Sequence, residues 1–541
     1  MRFVQIFTLL TALLYPLAAT PCTNFLVTPG ASTDASTMVT YAADAHVLYG
    51  ELYFLPAAHH PDGAMLDVYE WDSGRFLGTI PQARQTFSVV GNINEHQVTV
   101  AETTFGGREE LRSNLGVLDY GSLMWIALQR ATTAREAITV ITSLVAEHGY
   151  VSKGEVFSIA DPNEAWLLEM IGKGPEHKGA VWVARRIPDG FVSAHANCAR
   201  IGTFPLNDPK NTLYSPDVIS FAREKGYFDG PDSEFHFANA YAPLTWRDAR
   251  VCEARVWSFF RAVAPKDTPD IDFIHGTRAQ VQSLPLWIKP ERKLNPQDLM
   301  DAMRDHFEGT PLDLSTGVGA GPFALPYRWR PLEWELDGVT YLNDRSTATQ
   351  QTAFSFVAQM RASLPGPIGG VLWFSVDDAA STVYVPMYAG ILEIPHPFRV
   401  GVGDFTTFTW DSAFWTFNTV ANYAYGRYSD MIKDIRKVQR ELEGSFLAEQ
   451  ASIDQAALLL YKQSPRLARE YLTDYATTRA NLTLERWNKL FTELVVKYLD
   501  GNIRNEKGEV THPPYPDTWL RRIVDEDPER YRIRDFPDPL P

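Results

Sequence analysis

The chain has 541 residues, a formal charge of −16 and three cysteines. With no basic cluster to offset that acidity, nucleic acid is excluded as an expected partner, and the charge serves solubility. Three cysteines do not make a disulfide-stapled scaffold, and the length provides one large core plus an appendage.

Residues 1–21 read as a secretory leader. A single basic residue, Arg2, precedes an apolar stretch from about Phe3 to Ala19. That stretch is too short, and too interrupted by Gln5, Thr8, Thr11 and Pro16, for a membrane span. No later segment approaches spanning length. Ala18-x-Thr20 meets the small-residue rule of a cleavage site only loosely and leaves Pro21 in front of Cys22. Proline there also disfavours a lipoprotein signal. The expectation is export, followed by a second or self-catalysed trimming that makes Cys22 the first residue.

From Cys22 to about Ile187 the pattern is strands with one long helix between them. Asn24–Thr28 and Thr37–Tyr41 alternate in polarity around a polar turn and predict a hairpin; Phe87–Val90 and Gln97–Thr103 predict another around Gly91 to His96. Leu123–Glu147 has helical spacing, with Ser122 at its start and Gly149 beyond its end. Strands are expected at Glu155–Ala160, Ala165–Met170, Val181–Arg185 and Phe191–Ala194. Hairpins with helices between them favour an antiparallel α+β layer structure.

The stretch from about Asp208 to Thr340 reads as loop-rich, with short helices such as Arg250–Ala264 and Pro296–His306. Strands return at Gly370–Val376 and Thr382–Val385. From Trp410 the chain becomes charged, amphipathic and nearly free of glycine and proline, which predicts helices over Trp410–Gln450, Ile453–Tyr461 and Pro465–Leu499. Residues 501–541 read as an extended tail.

Chemistry concentrates at Cys22. Only a thiolate attacks a carbonyl well, and an ordinary cysteine, with a pKa of roughly 8.5, is mostly protonated at neutral pH. As residue one, Cys22 would carry its own base: an α-amine of pKa roughly 7.7–8 can take the thiol proton and later return it. Cys198 and Cys252 form either one disulfide or two buried thiols. A Cys198–His195 dyad is disfavoured, because catalytic pairs are usually made in space rather than three residues apart. His59-His60 has no third ligand at metal spacing, and neither HExxH nor CxxC occurs. Gly317–Gly321 lacks the Lys-Ser/Thr of a phosphate loop and reads as a turn.

The surroundings of Cys22 carry a resemblance. Cys22-Thr23-Asn24-Phe25, then Asp34 to His46, Gly91-Asn92-Ile93-Asn94-Glu95, Gly154 to Glu164, Val192 to Asn197 and Trp410 to Trp415 follow one another in family-like order. The chain resembles the dipeptidase A family of N-terminal nucleophile hydrolases, related to secernins, bile-salt hydrolases and penicillin V acylases, from Cys22 to roughly Leu490. The resemblance implies an αββα sandwich of antiparallel sheets over residues 22–400, a helical section over 401–500 packed on it, and amide hydrolysis with no metal or cofactor. Cys22 matches the nucleophile, Asp44 the carboxylate that holds the α-amine, Asn197 an oxyanion donor and Arg255 an arginine lining the site. The acylases' arginine is replaced by Tyr41 and their second oxyanion asparagine by Thr104, which points towards dipeptides.

The expected function is therefore an exported cysteine dipeptidase acting on small peptides, with no membrane span and with self-association left open. An N-acyl amide hydrolase of the same fold is the nearest alternative. A non-catalytic lipoprotein anchored at Cys22 is the alternative of another class.

Overall fold

The computed structural model describes residues 22–275 and 284–533. The expected leader lies outside the described residues. Ten strands frame the site: β1 (Asn24–Val27), β2 (Thr37–Asp44), β3 (Thr99–Gly106), β4 (Gly154–Ala160), β5 (Ala165–Gly172), β6 (Ala180–Arg186), β7 (Val192–His195), β8 (Thr352–Met360), β9 (Gly370–Val376) and β10 (Val385–Tyr388).

They form two antiparallel sheets. One runs Trp287–Ile288, β7, β1, β2, β8, β9, β10. The other runs Thr212–Tyr214, β6, β5, β4, β3, and then the short strands Ile93–Asn94, Val89–Val90 and Phe54–Leu55. The first hairpin is as expected, with Leu26 opposite Val39 and Val27 opposite Met38. β2 lies over β3 and β4, so the sheets face each other, and side chains of both interdigitate between them.

Helices cover the outer faces. α1 (Tyr120–Arg130) and α2 (Ala134–His148) share a core with Val100, Phe157, Ile159 and Leu168 of the eight-stranded sheet. This corrects the single helix expected over Leu123–Glu147. The chain breaks at Ala131 and Thr132, and Thr133 caps α2 by accepting from the Glu136 N–H. On the other sheet, α3 (Ala254–Val263) stacks Phe259 on Phe25 of β1, with ring centroids 4.1 Å apart.

The C-terminal section is helical as expected: α4 (Ala413–Ala424), α5 (Tyr428–Gln463) and α6 (Pro465–Lys497). Expected as two helices, α5 is continuous. It is tied to the sheet core by buried ion pairs, Arg304 with Glu443 and Arg361 with Asp454. Past residue 500 the chain is not uniformly extended: a strand pair (Ile503–Arg504 with Val510–Thr511) and a helix over Asp517–Glu526 precede the end of the described residues.

β8 was not expected from the sequence. It is buried at every position and fills the gap between β2 and β9. A strand covered on both faces has no polar alternation to betray it.

Candidate active site

Cys22 sits at the start of β1, buried between the sheets. Its neighbour Thr23 bridges to Ala42 of β2, which carries the Cys22 side chain towards the end of that strand. The sulfur lies 3.9 Å from the Tyr41 hydroxyl and 3.8 Å from Glu102 Oε1. Tyr41 itself donates to Glu102 Oε1 at 2.6 Å. Burial first, then the charges of Glu102 and Asp44, push the Cys22 thiol well above its usual value. The Asp44 backbone N–H and the Tyr41 hydroxyl act in the opposite sense but do not prevail.

Arg255, expected on a helix of open role, is wholly buried and is the clamp of the site. Its Nη1 donates to the Cys22 carbonyl and to Thr23 Oγ1, each at 2.7 Å. Nη2 donates to the Ala196 carbonyl at 3.1 Å and to Asn197 Oδ1 at 2.9 Å, and Nε to the Val251 carbonyl at 2.9 Å. Burial, with the nearby charge of Arg345, lowers its pKa to about 10, which leaves it a cation at neutral pH. One planar fork thereby fixes β1, the turn after β7 and its own helix.

Asn197 follows β7 with φ at +65°, a left-handed conformation that asparagine tolerates better than most residues. Its Nδ2 donates to the Thr104 carbonyl at 2.8 Å while Oδ1 accepts from Arg255. The amide plane is fixed from both ends. Thr104 stands on the other side of that bond, but its hydroxyl donates to Glu155 Oε1 at 2.9 Å. The expected second oxyanion donor is thus engaged by a carboxyl group.

Asp44 closes β2. Its carboxylate pairs with Arg345 and accepts from Thr352 Oγ1 at 2.6 Å, and its carbonyl accepts from Gln351 Nε2 at 2.9 Å. Burial pushes this carboxyl up, while Arg345, Thr352 and Arg255 pull it down. Cys22, Tyr41, Asp44, Asn197 and Arg255 therefore converge on one region, which Thr104 joins through its backbone carbonyl.

Several neighbours escaped sequence reasoning. Glu102 and Glu155 are the charged residues of β3 and β4 and are both buried, a signal that could have singled them out. Arg345 and Thr352 lie about 300 positions from Asp44, with no local pattern linking them. His195 shares hydrogen bonds with Thr103 Oγ1 at 2.7 Å and with Ser158 Oγ at 2.6 Å, which stitch the sheets together. Burial and the charges of Arg200 and Arg255 hold its pKa well below the usual imidazole value, so it is neutral.

The Cys198–His195 dyad has no support in the geometry, since both ring nitrogens are engaged elsewhere. Cys198 and Cys252 are free thiols that hydrogen-bond each other. With Asp248 they form the one group among the described residues whose ligand atoms are close enough to hold a metal.

The sequence pattern of peptidase family C69 matches residues 51–441, well over half of the chain. The chain belongs to peptidase family C69. As a member it is a cysteine-type peptidase and a hydrolase. It is 24% identical over 394 residues to a probable dipeptidase of Salmonella dublin, covering 68% of this chain and 81% of that one. It is 21% identical over 521 residues to probable dipeptidase B of Streptococcus pyogenes serotype M1, covering 93% and 97%. Dipeptidase A of Lactobacillus helveticus is 25% identical over 342 residues, covering 63% and 62%. Among the described residues no helix is long and apolar enough to cross a membrane.

Proposed function

We propose that this C69 peptidase is an exported dipeptidase that works through a thioester at Cys22, and that it becomes active when a cut before Cys22 frees its α-amine. One observation carries the reading: the Cys22 sulfur faces Tyr41 and Glu102 while Arg255 holds its carbonyl. The names of the relatives support a dipeptide substrate. The helix–sheet–sheet–helix layering, with the cysteine at the start of an inner strand, supports the N-terminal nucleophile arrangement.

The electrostatics explain why a free amine is needed. In the uncut chain the Cys22 nitrogen is a peptide amide and takes no proton, while burial and two carboxyl groups keep the thiol protonated. A free α-amine, with a pKa of roughly 7.7–8, can accept that proton at neutral pH. The thiolate then adds to the scissile carbonyl. Charge growing on the carbonyl oxygen is met by fixed dipoles, for which the immobilised Asn197 amide is the candidate. The protonated α-amine returns its proton to the leaving amine as the C–N bond breaks, which leaves the thioester. Water, deprotonated by the same amine, attacks the thioester, and the acid departs as the thiol re-forms. Asp44 is assigned to orienting the amine, and Arg255 to holding the Cys22 backbone.

Purified mature protein tests the reading. Its first residue should be Cys22, and Cys22→Ala should lower dipeptide hydrolysis at least 1,000-fold. An active protein that still carries residues ahead of Cys22, or a Cys22→Ala variant at wild-type rate, would overturn it. Assays with penicillin V and conjugated bile acids beside dipeptides distinguish this reading from the N-acyl amide alternative.

A further inference from the structure

Behind Cys22 lies a buried acidic group that the reaction above does not use. Glu102 and Thr104 on β3 and Glu155 on β4 lie on the sheet face that carries Val100 and Phe157. Beyond Thr99, β3 has no partner strand on its outer side among the described residues, so the Glu102 carboxyl can reach past the sheet edge to Cys22. The Glu102 and Glu155 carboxyls hydrogen-bond to each other, which requires a shared proton. Asp72, whose Oδ1 accepts from Tyr120 at 2.8 Å, adds a third acid nearby.

Among the described residues none of these three acids has a basic partner. Every ion pair of the described residues lies elsewhere, and Arg255 and Arg345 are spent on Cys22, Asn197 and Asp44. Glu102 Oε2 and Glu155 Oε2 are buried and accept from no donor hydrogen of a neighbouring hydroxyl, amide or cation. A buried carboxylate without a cation costs several kcal/mol by typical desolvation penalties. Such a site is suited to a cation that arrives with the substrate.

We propose that Glu102 binds the α-ammonium group of the dipeptide's N-terminal residue and is the residue that selects free-amine peptides. The proposal rests on the dipeptidase reading above. Covalent geometry puts an α-nitrogen about 2.5 Å from its own carbonyl carbon. Attack places that carbon about 3–3.5 Å from the sulfur. These separations allow an ammonium to reach a charge-assisted hydrogen-bond distance of about 2.7–2.9 Å from a carboxylate oxygen that is itself 3.8 Å from the sulfur. Burial and the Glu102 charge push the Glu155 carboxyl well up, so the shared proton is assigned to Glu155, and the Tyr41 hydroxyl donates to Glu102 Oε1 and fixes its orientation. An acyl group without an amine leaves this carboxylate desolvated and unmatched, which disfavours N-acyl amides.

The test compares alanyl-alanine with its des-amino analogue, propanoyl-alanine, on purified mature protein. Wild type should favour alanyl-alanine at least 100-fold in kcat/KM. Glu102→Gln should reduce that preference at least 30-fold, chiefly through a raised KM for alanyl-alanine. Glu102→Asp, which withdraws the charge by one methylene, should reduce it at least 10-fold and serves if the Gln variant folds poorly. An equal loss on both substrates, or a preference kept in both variants, overturns the proposal. Wild-type protein that cleaves neither compound nor any other dipeptide sinks the dipeptidase reading itself, a result separable from any effect of the variants.

Discussion

Arg255 Nη1 donates to the carbonyl oxygen of Cys22 across 2.7 Å, while its Nη2 holds Asn197 Oδ1 at 2.9 Å. The candidate nucleophile and the candidate oxyanion donor are thus referenced to one rigid side chain.

Lysine cannot reproduce that arrangement, because a point ammonium lacks the planar fork. Arg255→Lys should leave a folded protein whose kcat falls about 100-fold, the cost of misplacing reacting groups by about 1 Å. Arg255→Ala removes five buried hydrogen bonds and should also destabilise by about 3 kcal/mol or more. Steady-state kinetics beside denaturant melts of both variants check this; a Lys variant with wild-type kcat would show that the clamp is dispensable.

Asp44 and Arg345 form a buried pair at the end of β2. Asp44→Asn deprives a buried guanidinium of its carboxylate and should cost about 3–5 kcal/mol. The double variant Asp44→Asn with Arg345→Gln should recover part of that loss, so a double-mutant cycle would give a coupling of about 1 kcal/mol or more. Additive losses would mean that the pair is not coupled.

Glu169 on β5 is buried beneath the turn after β7, and its Oε1 accepts from the backbone N–H groups of Arg200 and Ile201. Burial pushes its carboxyl up to about 7, against an ordinary 4.5, and outweighs those N–H groups and the Arg200 charge. The folded state therefore binds this proton more tightly than the unfolded chain. The stability it supplies is fully present below pH 4.5 and declines as pH rises through about 7, by about 3 kcal/mol in all. Glu169→Gln should flatten that slope in urea melts between pH 4.5 and 8; an unchanged slope would place the titration elsewhere.

Cys198 and Cys252 are neighbours without a bond between them. Unfolding in denaturant without reductant should expose three reactive thiols per chain, the full cysteine count. A count of one would reveal a bridge between the pair.

Much of the frame was legible in the sequence. The hairpin of β1 and β2, the run β4 to β7 and the helical section from α4 onward all follow local periodicity or turn chemistry. The long helix over Leu123–Glu147 misled because apolar spacing continues across Thr132 and Thr133, where the capping hydroxyl of Thr133 breaks the backbone. β8 was missed for the opposite reason, having apolar residues on both faces and no period to read.

The sequence by itself singled out the candidate nucleophile and carried the resemblance that pointed to a peptidase, and that resemblance in turn implied Asp44, Asn197 and Arg255 as candidate companions. Those signals are local, carried by short runs around each residue. What only the tertiary structure decided is what each one faces: Arg345 and Thr352 for Asp44, Thr104 for Asn197, and the Glu102–Glu155 pair for Cys22. These partners stand tens to hundreds of residues away, brought together by the stacking of two sheets. The electrostatic state of a buried group depends on its neighbours in space, and local pattern carries no record of them.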